Sequence, residues 1–316
     1  MIFGRYTATK PLHEGRRIRV LRGIRDADGL PVIIKALRRR HPPLRDIAKL
    51  RHEFELLRRF DDDRIVRAFE LVEHGSRVAL VLEDFGGAAL RSQIPLTGFD
   101  IGDCLQIAIK LCEALAVVHR AGVLHKDIKP DNIIYNRSSS RVALTDFSIA
   151  SLIDREEQAA LAPETLEGSL AYLSPEQTGR INRLVDYRSD FYSLGITLYE
   201  MLLGSLPFRA DSPLALVHAH IARRPIPPEI ISDDVPPILS KIIMRLLEKN
   251  AEDRYQSSNG LLADLRRVDE EYRQGLPLTD FPLAQHDHNE RFSLSTQLFG
   301  READTELIMA AFDRAC

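Results

Sequence analysis

The chain has 316 residues and a mass of 35.8 kDa, which at about 100–200 residues per domain predicts roughly two domains or lobes. Its composition, 44% hydrophobic and 28% charged, is typical of a soluble globular protein, and a net charge of −3 argues against nucleic acid as the main partner. No run approaches about 18 apolar residues, no signal peptide is evident, and three cysteines suit a reducing cytoplasm, so we expect a cytoplasmic chain without direct membrane insertion.

The first part of the chain is rich in predicted strands. Short extended segments at 19–23 and 32–37 flank the turn signal Asp26-Ala27-Asp28-Gly29, which predicts a hairpin. An amphipathic helix is predicted over 47–60 from the spacing of its apolar residues, and two further strands over 65–72 and 77–83. We therefore expect a small strand-rich lobe at about 6–82, ended by a hinge at 83–87.

Beyond the hinge the apolar spacing becomes helical. Helices are predicted over 101–121, ended by Gly122, and over 188–203, 236–250 and 257–273. Residues 274–297 have weak periodicity and are predicted to be a linker. The order of elements predicts an α+β fold in which a larger helical lobe at 88–273 faces the strand-rich lobe across a cleft, a natural place for a ligand.

The segment HKDIKPDN, at 125–132, carries the residues with the clearest chemistry. Transfer of a phosphoryl group to a hydroxyl needs a carboxylate to accept the proton, a cation to hold the moving group, and oxygen ligands for Mg²⁺. Asp127, Lys129 and Asn132 supply these three types within six residues, and Asp146 follows a short apolar run as a second metal ligand. We predict Asp127, Lys129 and Asn132 as catalytic and Asn132 with Asp146 as metal-binding.

With these motifs the sequence resembles a protein kinase over about 6–273, which implies a bilobal kinase fold with ATP and Mg²⁺ as cofactors. The resemblance makes Lys35, in Pro-Val-Ile-Ile-Lys, the strand lysine of the ATP site and Glu53 its partner on the next helix. Ser174-Pro175-Glu176, Asp190 and Arg254 match motifs that anchor the helical lobe. The remaining predicted contacts to ATP are those of Gly15, Val20, Ile33, Glu83 and Ile134.

A narrower resemblance concerns longer chains. SLAYLSPEQTGRIN, DYRSDFYSLGITLYEML and FGRE are similar to the N-terminal kinase modules of bacterial multi-sensor serine/threonine–histidine hybrid kinases. That resemblance implies that 298–316 begin a further, ATPase-like domain and that the kinase works with other domains of one longer polypeptide.

Some positions depart from the kinase pattern. The glycine-rich loop over the phosphates has His13 and Ile18 where two of its glycines are expected, and only Gly15 remains. Ser148 replaces the glycine of the Asp-Phe-Gly motif, and we expect a serine at positive φ to restrain Asp146. Lys126 replaces an arginine that would bind an activation-loop phosphate in a bidentate manner.

The resemblance favours protein substrates. Lys129 two residues after Asp127 is typical of serine/threonine kinases, and Gly168-Ser169 resembles the loop that receives the substrate peptide, with Ser169 as the contacting hydroxyl. The expected function is transfer of the γ-phosphate of ATP to serine or threonine in a bacterial signalling protein. A weakly active or inactive kinase-like scaffold is the alternative, and a small-molecule kinase ranks third.

Overall fold

The N-terminal lobe is built on an antiparallel sheet whose central strands are nearly continuous apolar runs that are largely buried. The computed structural model describes residues 1–39, 41–74, 77–153, 170–181 and 183–287. Within these residues, six antiparallel strands lie in the order β1-β2-β3-β4-β6-β5: β1 (Ile2–Phe3), β2 (Tyr6–Glu14), β3 (Ile18–Arg25), β4 (Pro31–Leu37), β5 (Ala68–His74) and β6 (Arg77–Glu83). The predicted hairpin is confirmed, with Gly29 at φ +71° in its turn.

One helix, α1 (Leu44–Leu57), packs on this sheet. It begins three residues earlier than predicted because it starts directly after Pro43, a residue that fits a helix N-terminus. Strand β5, in turn, begins three residues later than predicted. The cause is Ile65, which forms a parallel bridge to Leu144 of the helical lobe, so that the chain before β5 connects the two lobes.

Helices form most of the C-terminal lobe. They are α2 (Ile101–Arg120), α3 (Arg188–Leu203), α4 (Pro213–Ala222), α5 (Pro228–Ile231), α6 (Pro237–Leu246) and α7 (Ser258–Arg273). Nearly every residue of α3 is buried, which places this helix at the centre of the lobe. Gly204 ends α3 at φ +65°, where a Cβ would lie 2.1 Å from the Leu96 carbonyl oxygen. The bilobal architecture predicted from the sequence is confirmed.

Helix α4 was not predicted. The hydroxyl of Ser212 caps its N-terminus by accepting a hydrogen bond from the Ala215 N–H, and Pro213 occupies its first turn. His220, near its end, is fully buried beside Tyr192, and burial together with the charge of Lys249 lowers the pKa of the imidazole to about 4. The helix thus carries a histidine that stays neutral at physiological pH.

Short strands line the cleft between the lobes. The hinge after β6 leads into β7 (Ala88–Ala89), which joins β9 (Ile133–Asn136) and β10 (Arg141–Leu144) in one sheet. A separate pair is formed by β8 (Val123–Leu124) and β11 (Ser151–Leu152). The predicted catalytic loop therefore runs between β8 and β9, at the mouth of the cleft.

The described part of the predicted linker, 274–287, lies against the helical lobe. Phe281 is buried, and the guanidinium of Arg267 lies 4.0 Å from the centre of its ring. The carboxylate of Asp287 accepts hydrogen bonds from the Gln256 N–H (2.6 Å) and from the Ser257 hydroxyl (2.7 Å). This segment packs as part of the lobe, which differs from the linker expected there.

Residues 288–316, including the expected start of a further domain, lie outside the described residues. Over the described ranges, no helix combines the length and apolar character needed to cross a membrane.

Candidate active site

The catalytic loop brings three of the predicted polar residues together. The carboxylate of Asp127 accepts hydrogen bonds from the Lys129 ammonium (2.6 Å) and from the Asn132 amide nitrogen (2.8 Å). The same amide nitrogen of Asn132 donates to the Asp127 carbonyl at 2.9 Å, which fixes the loop on itself. Both Asp127 and Lys129 remain partly accessible, so a substrate hydroxyl can reach the carboxylate.

Asp190 of α3 holds the catalytic loop in place. Its carboxylate accepts from the backbone N–H groups of His125 (3.0 Å) and Lys126 (2.7 Å), and it contacts the His119 ring nitrogen at 2.9 Å. Burial alone raises the pKa of Asp190, but the hydrogen bonds and the nearby imidazoles outweigh it and lower the pKa. Lys126 adopts φ +66°, a conformation that these two backbone hydrogen bonds hold in place.

His125 links the loop to the segment that contains Asp146. Its Nδ1 accepts from the Asp127 N–H (3.3 Å), so Nε2 carries the proton and donates to the Thr145 carbonyl (3.1 Å). Burial lowers the pKa of this imidazole, in keeping with a neutral ring. The ring also lies against buried Phe147, with 4.6 Å between ring centres. The positions of Asp127 and Asp146 are therefore set by one connected group of side chains.

The predicted ATP lysine sits between two carboxylates. The Lys35 ammonium lies 2.7 Å from Glu53 Oε2 and 2.9 Å from Asp146 Oδ1, with only 7% of the lysine side chain exposed. Burial lowers the pKa of Lys35, but the two carboxylates outweigh it and raise the pKa above its ordinary value. Burial raises the pKa of Glu53 to about 7, opposed by Lys35. The strand lysine, the helix glutamate and Asp146, the predicted metal ligand, thus lie together.

The conformation after Asp146 differs from the expectation for Ser148. Positive φ occurs at Asp146 itself (+62°), and Ser148 is not among the described residues with positive φ. Aspartate is one of the side chains that tolerates this region, so a glycine is not required two residues later. Further along, the carbonyl of Ala150 lies 2.7 Å from the His52 ring nitrogen, which ties this segment to α1. The strain expected from a positive φ at Ser148 is therefore absent, and the Ser148 N–H instead donates to the Asp146 carboxylate at 3.4 Å.

The predicted nucleotide loop is a tight turn between β2 and β3. The Gly15 N–H donates to the Ile18 carbonyl (2.9 Å), and the Arg38 guanidinium donates to the Gly15 carbonyl (3.1 Å). The backbone N–H of the one remaining glycine is thus used within the turn. Val20 pairs with Lys35 across the two strands, so the loop leads directly to the lysine.

Ile33 and Ile134, both predicted to contact ATP, come from different lobes. Ile33 lies on β4 opposite Leu82, and Ile134 lies on β9 opposite Ala89. Both are partly buried and pack against the main hydrophobic core.

The hinge is held by two residues that no motif identified. The Arg141 guanidinium donates to both carboxylate oxygens of Glu83, at 2.7 and 3.0 Å, and its central carbon lies 4.1 Å from the centre of the Phe85 ring. The amide of Asn136 donates to the Phe85 carbonyl at 2.7 Å. The Glu83 side chain is therefore engaged with Arg141, and its backbone N–H donates to the Arg67 carbonyl at 2.9 Å. A hairpin of the helical lobe fixes the hinge.

Another unpredicted residue, Arg91, joins the front of the catalytic loop to α3. Its guanidinium contacts the Glu200 carboxylate, the Tyr172 hydroxyl and, at 3.3 Å, the carboxylate of Asp131. Burial lowers the pKa of Arg91, but these hydrogen bonds outweigh burial and raise the pKa above its ordinary value. Arg91 carries no motif of its own, and only its three partners in space reveal its role.

The segment Ser174-Pro175-Glu176 is anchored as the resemblance implied. Arg254, fully buried, donates to both oxygens of the Glu176 carboxylate at 2.7 and 2.9 Å. The Ser189 hydroxyl donates to the same carboxylate at 2.7 Å. Burial raises the pKa of Glu176, and Arg254 outweighs it and lowers the pKa. Ser169, predicted to contact the substrate peptide, lies outside the described residues.

Sequence comparisons agree with this geometry. The family model described as protein kinase domain matches residues 6–264. A probable serine/threonine-protein kinase of Clostridium acetobutylicum is 34% identical over 227 residues, which cover 72% of this chain and 34% of that protein. A probable serine/threonine-protein kinase of Clostridium perfringens is 31% identical over 271 residues, or 80% and 38% of the two chains. The serine/threonine-protein kinase PknB of Mycolicibacterium smegmatis is 36% identical over 204 residues, or 64% and 32%. The matched part spans about a third of the length of these curated relatives.

Proposed function

Because the chain belongs to the protein kinase domain family, we propose that it transfers the γ-phosphate of ATP to serine and threonine hydroxyls of proteins. The observation that carries the proposal is the arrangement around Asp127, whose carboxylate is held by Lys129 and Asn132 on a loop fixed by Asp190. In this position Asp127 orients the attacking hydroxyl and accepts its proton, and Lys129 stabilises negative charge on the moving phosphoryl group.

The residues present fit Mg²⁺ and a nucleotide. Asn132 commits its amide nitrogen to Asp127, which leaves its amide oxygen as the atom that can bind a cation, and Asp146 supplies a carboxylate. Mg²⁺ binds oxygen atoms and takes one or two protein ligands together with phosphates. Among the described residues, no cluster of three or more His, Cys, Asp or Glu could hold a metal alone, so this shared mode is the one that fits. Lys35 would turn from Asp146 towards the phosphates, with Glu53 holding it.

Serine and threonine are the proposed acceptors for two reasons. Lys129 follows Asp127 at the spacing typical of serine/threonine kinases, and the relatives at 31–36% identity carry that designation. The Ser174-Pro175-Glu176 anchor to Arg254 supports a peptide-binding segment in front of it, a feature that small-molecule kinases generally lack.

One observation favours the second candidate, a scaffold with little catalysis. The loop over the phosphates keeps a single glycine, and the N–H of that glycine is already bonded to Ile18. Fewer backbone donors are then left to hold the phosphates.

We further propose that this kinase is one module of a longer cytoplasmic signalling protein, with protein substrates and other domains of the same polypeptide as partners. The span of about a third of the relatives' length and the similarity of FGRE at 299–302 to multi-sensor kinases support this view. The buried free thiols of Cys104 and Cys112 suit a reducing compartment.

The proposal is tested by comparing the wild type with Asp127→Ala. We expect phosphate transfer to the protein itself and to generic protein substrates to fall by about a hundredfold or more, because a positioned general base contributes about 10²–10⁴. Stabilisation by Mg·ATP should stay nearly unchanged, and acid hydrolysis of the product should yield phosphoserine and phosphothreonine.

Asp280→Ala, which removes a surface aspartate paired with Lys241, is the matched control and should behave as the wild type. Equal activity of Asp127→Ala and the wild type would contradict the assignment of the base. A wild type that binds Mg·ATP but transfers nothing would support the scaffold instead.

A further inference from the structure

A groove of about 810 Å³ lies beside α4, on the helical lobe. Its walls come from α4, the loop before it, and Arg180, which follows the Ser174-Pro175-Glu176 anchor. None of the catalytic or metal-binding side chains described above lines it. It is therefore a second concave surface, distinct from the cleft between the lobes.

The rim of the groove carries arginines that lack carboxylate partners. Arg180, Arg209 and Arg223 are all exposed, and within the described residues none of their guanidiniums forms an ion pair or a side-chain hydrogen bond. The one acidic residue in the lining is Asp211, so three positive charges face a single negative one. The groove is strongly cationic although the chain as a whole carries a net charge of −3.

Several exposed arginines elsewhere on the described surface are paired. Arg67 pairs with Asp61 at 2.6 Å, and Arg266 pairs with Glu113 at the same distance. What distinguishes the arginines of the groove is that three of them line one concave surface. An unpaired cation cluster at a concavity attracts anionic groups and speeds their association.

The floor of the groove is mostly apolar. Leu214 exposes 58% of its surface, and Val217 and Ile221, one helical turn apart on α4, are partly exposed beside it. Burying an aliphatic side chain against apolar surface is favourable, so an occupant with aliphatic side chains gains from this floor. A simple inorganic anion or a polar sugar phosphate would leave it uncovered.

We propose that this groove is a docking site for an acidic segment of a partner protein in which carboxylates flank leucine or another aliphatic residue. Charge complementarity with the three arginines selects the carboxylates, and the α4 floor selects the aliphatic side chain. The size suits a short peptide, since the groove falls within the range of about 300–1,000 Å³ in which ligand sites occur. The groove binds a segment of the partner other than the one that carries the phosphate-accepting residue. Binding in the groove does not depend on catalysis.

Direct binding tests the proposal. The probe is a fluorescein-labelled peptide, Glu-Glu-Leu-Asp-Glu-Leu-Glu, and the control peptide carries Gln and Asn in place of Glu and Asp. Fluorescence anisotropy is measured with the wild type, with the double variant Arg209→Glu and Arg223→Glu, and with Lys10→Glu. Lys10 is an exposed lysine of β2, far from α4 in the fold, and it controls for a loss of positive charge.

We expect the acidic peptide to bind the wild type and Lys10→Glu equally, and the double arginine variant at least tenfold more weakly. Raising the ionic strength from about 0.05 to 0.3 M should weaken wild-type binding several-fold because exposed charges are screened. Leu214→Ser should weaken it about tenfold with little change in salt dependence. Unfolding midpoints of the variants should match that of the wild type, because the substituted side chains are exposed.

Other outcomes would overturn the proposal. Equal binding of the acidic and neutral peptides would remove the electrostatic argument, and equal binding by the wild type and the double arginine variant would place the peptide elsewhere. Light scattering is measured in parallel: a wild-type dimer that the double arginine variant abolishes would show that a second copy of the chain occupies this face. Each result can be read whether or not the protein transfers phosphate.

Discussion

Replacing Arg254 with methionine isolates the energy of the buried anchor in the helical lobe. The guanidinium is fully buried, donates to both oxygens of Glu176, and also donates to the carbonyls of Arg188, Glu248 and Lys249 at 2.8 to 3.1 Å. Methionine keeps much of the packing but leaves the Glu176 carboxylate in the interior without a countercharge. Removing one partner of a buried ion pair costs about 3–5 kcal/mol, a large fraction of a typical folding free energy of about 5–15 kcal/mol.

The matched control is Arg266→Met. Arg266 pairs with Glu113 at 2.6 Å, but the arginine side chain is 59% exposed, and such surface pairs contribute about 0–1 kcal/mol. The chain has no tryptophan, so urea unfolding is followed by far-ultraviolet circular dichroism. We expect the free energy of unfolding to fall by about 2–5 kcal/mol more for Arg254→Met than for Arg266→Met, at similar denaturant slopes.

A second substitution checks the cause. In the Arg254→Met protein, changing Glu176 to Gln removes the uncompensated charge and should restore part of the lost stability, whereas Glu176→Gln in the wild type should be destabilising. Two arginine variants within about 1 kcal/mol of each other, or a double variant as unstable as the sum of the single ones, would refute the reasoning.

Three further outcomes follow from the geometry. Lys35→Met should lose most of the thermal stabilisation given by Mg·ATP, and an undiminished shift would remove Lys35 from the site. The free energy of unfolding should decrease as the pH falls from about 6.5 to about 4. In this range His220 binds a proton in the unfolded chain but not in the folded protein, where its pKa is about 4. His220→Gln should flatten this dependence of stability on pH, and an unchanged slope would assign the dependence to other groups. Arg141→Leu should raise the KM for ATP several-fold with little change in kcat, because Glu83 and Phe85 lose the side chain that fixes the hinge. Steady-state kinetics measures both constants, and an unchanged KM would contradict the role given to Arg141.

The site residues that belong to a recognisable sequence motif were predictable because each motif has a short spacing between its residues or a fixed order along the chain. Asp127 and Asn132 lie within one loop, and that loop has few ways to fold around a buried anchor. Lys35 and Glu53 are 18 residues apart, yet a strand followed directly by a helix brings them within 2.7 Å. Asp127 and Asn132 were predicted from the chemistry of one short segment, whereas Lys35 and Glu53 were predicted from the resemblance to protein kinases.

Residues that act through distant partners were not predictable. Arg141 reaches Glu83 and Phe85 only once the helical lobe meets the hinge, and Arg91 reaches Glu200 only once the helical lobe itself has folded. Helix α4 was missed because its sequence is nearly all apolar and its signal is a single capping serine. The expected strain at Ser148 was wrong because the left-handed residue is Asp146, and backbone angles are set by tertiary hydrogen bonds that a motif does not display.

The contact between Asp287 and the first turn of α7 determines where a mechanical force on the chain after residue 287 would act on the helical lobe. The carboxylate sits so close to Gly260 that a Cβ there would lie 2.5 Å from it. Force applied to the chain beyond Asp287 is carried by the hydrogen bonds to Gln256 and Ser257, so it bypasses the sixteen residues of α7. The load therefore reaches the backbone two residues after Arg254, so tension on the chain beyond Asp287 would be transmitted next to the buried Arg254–Glu176 pair.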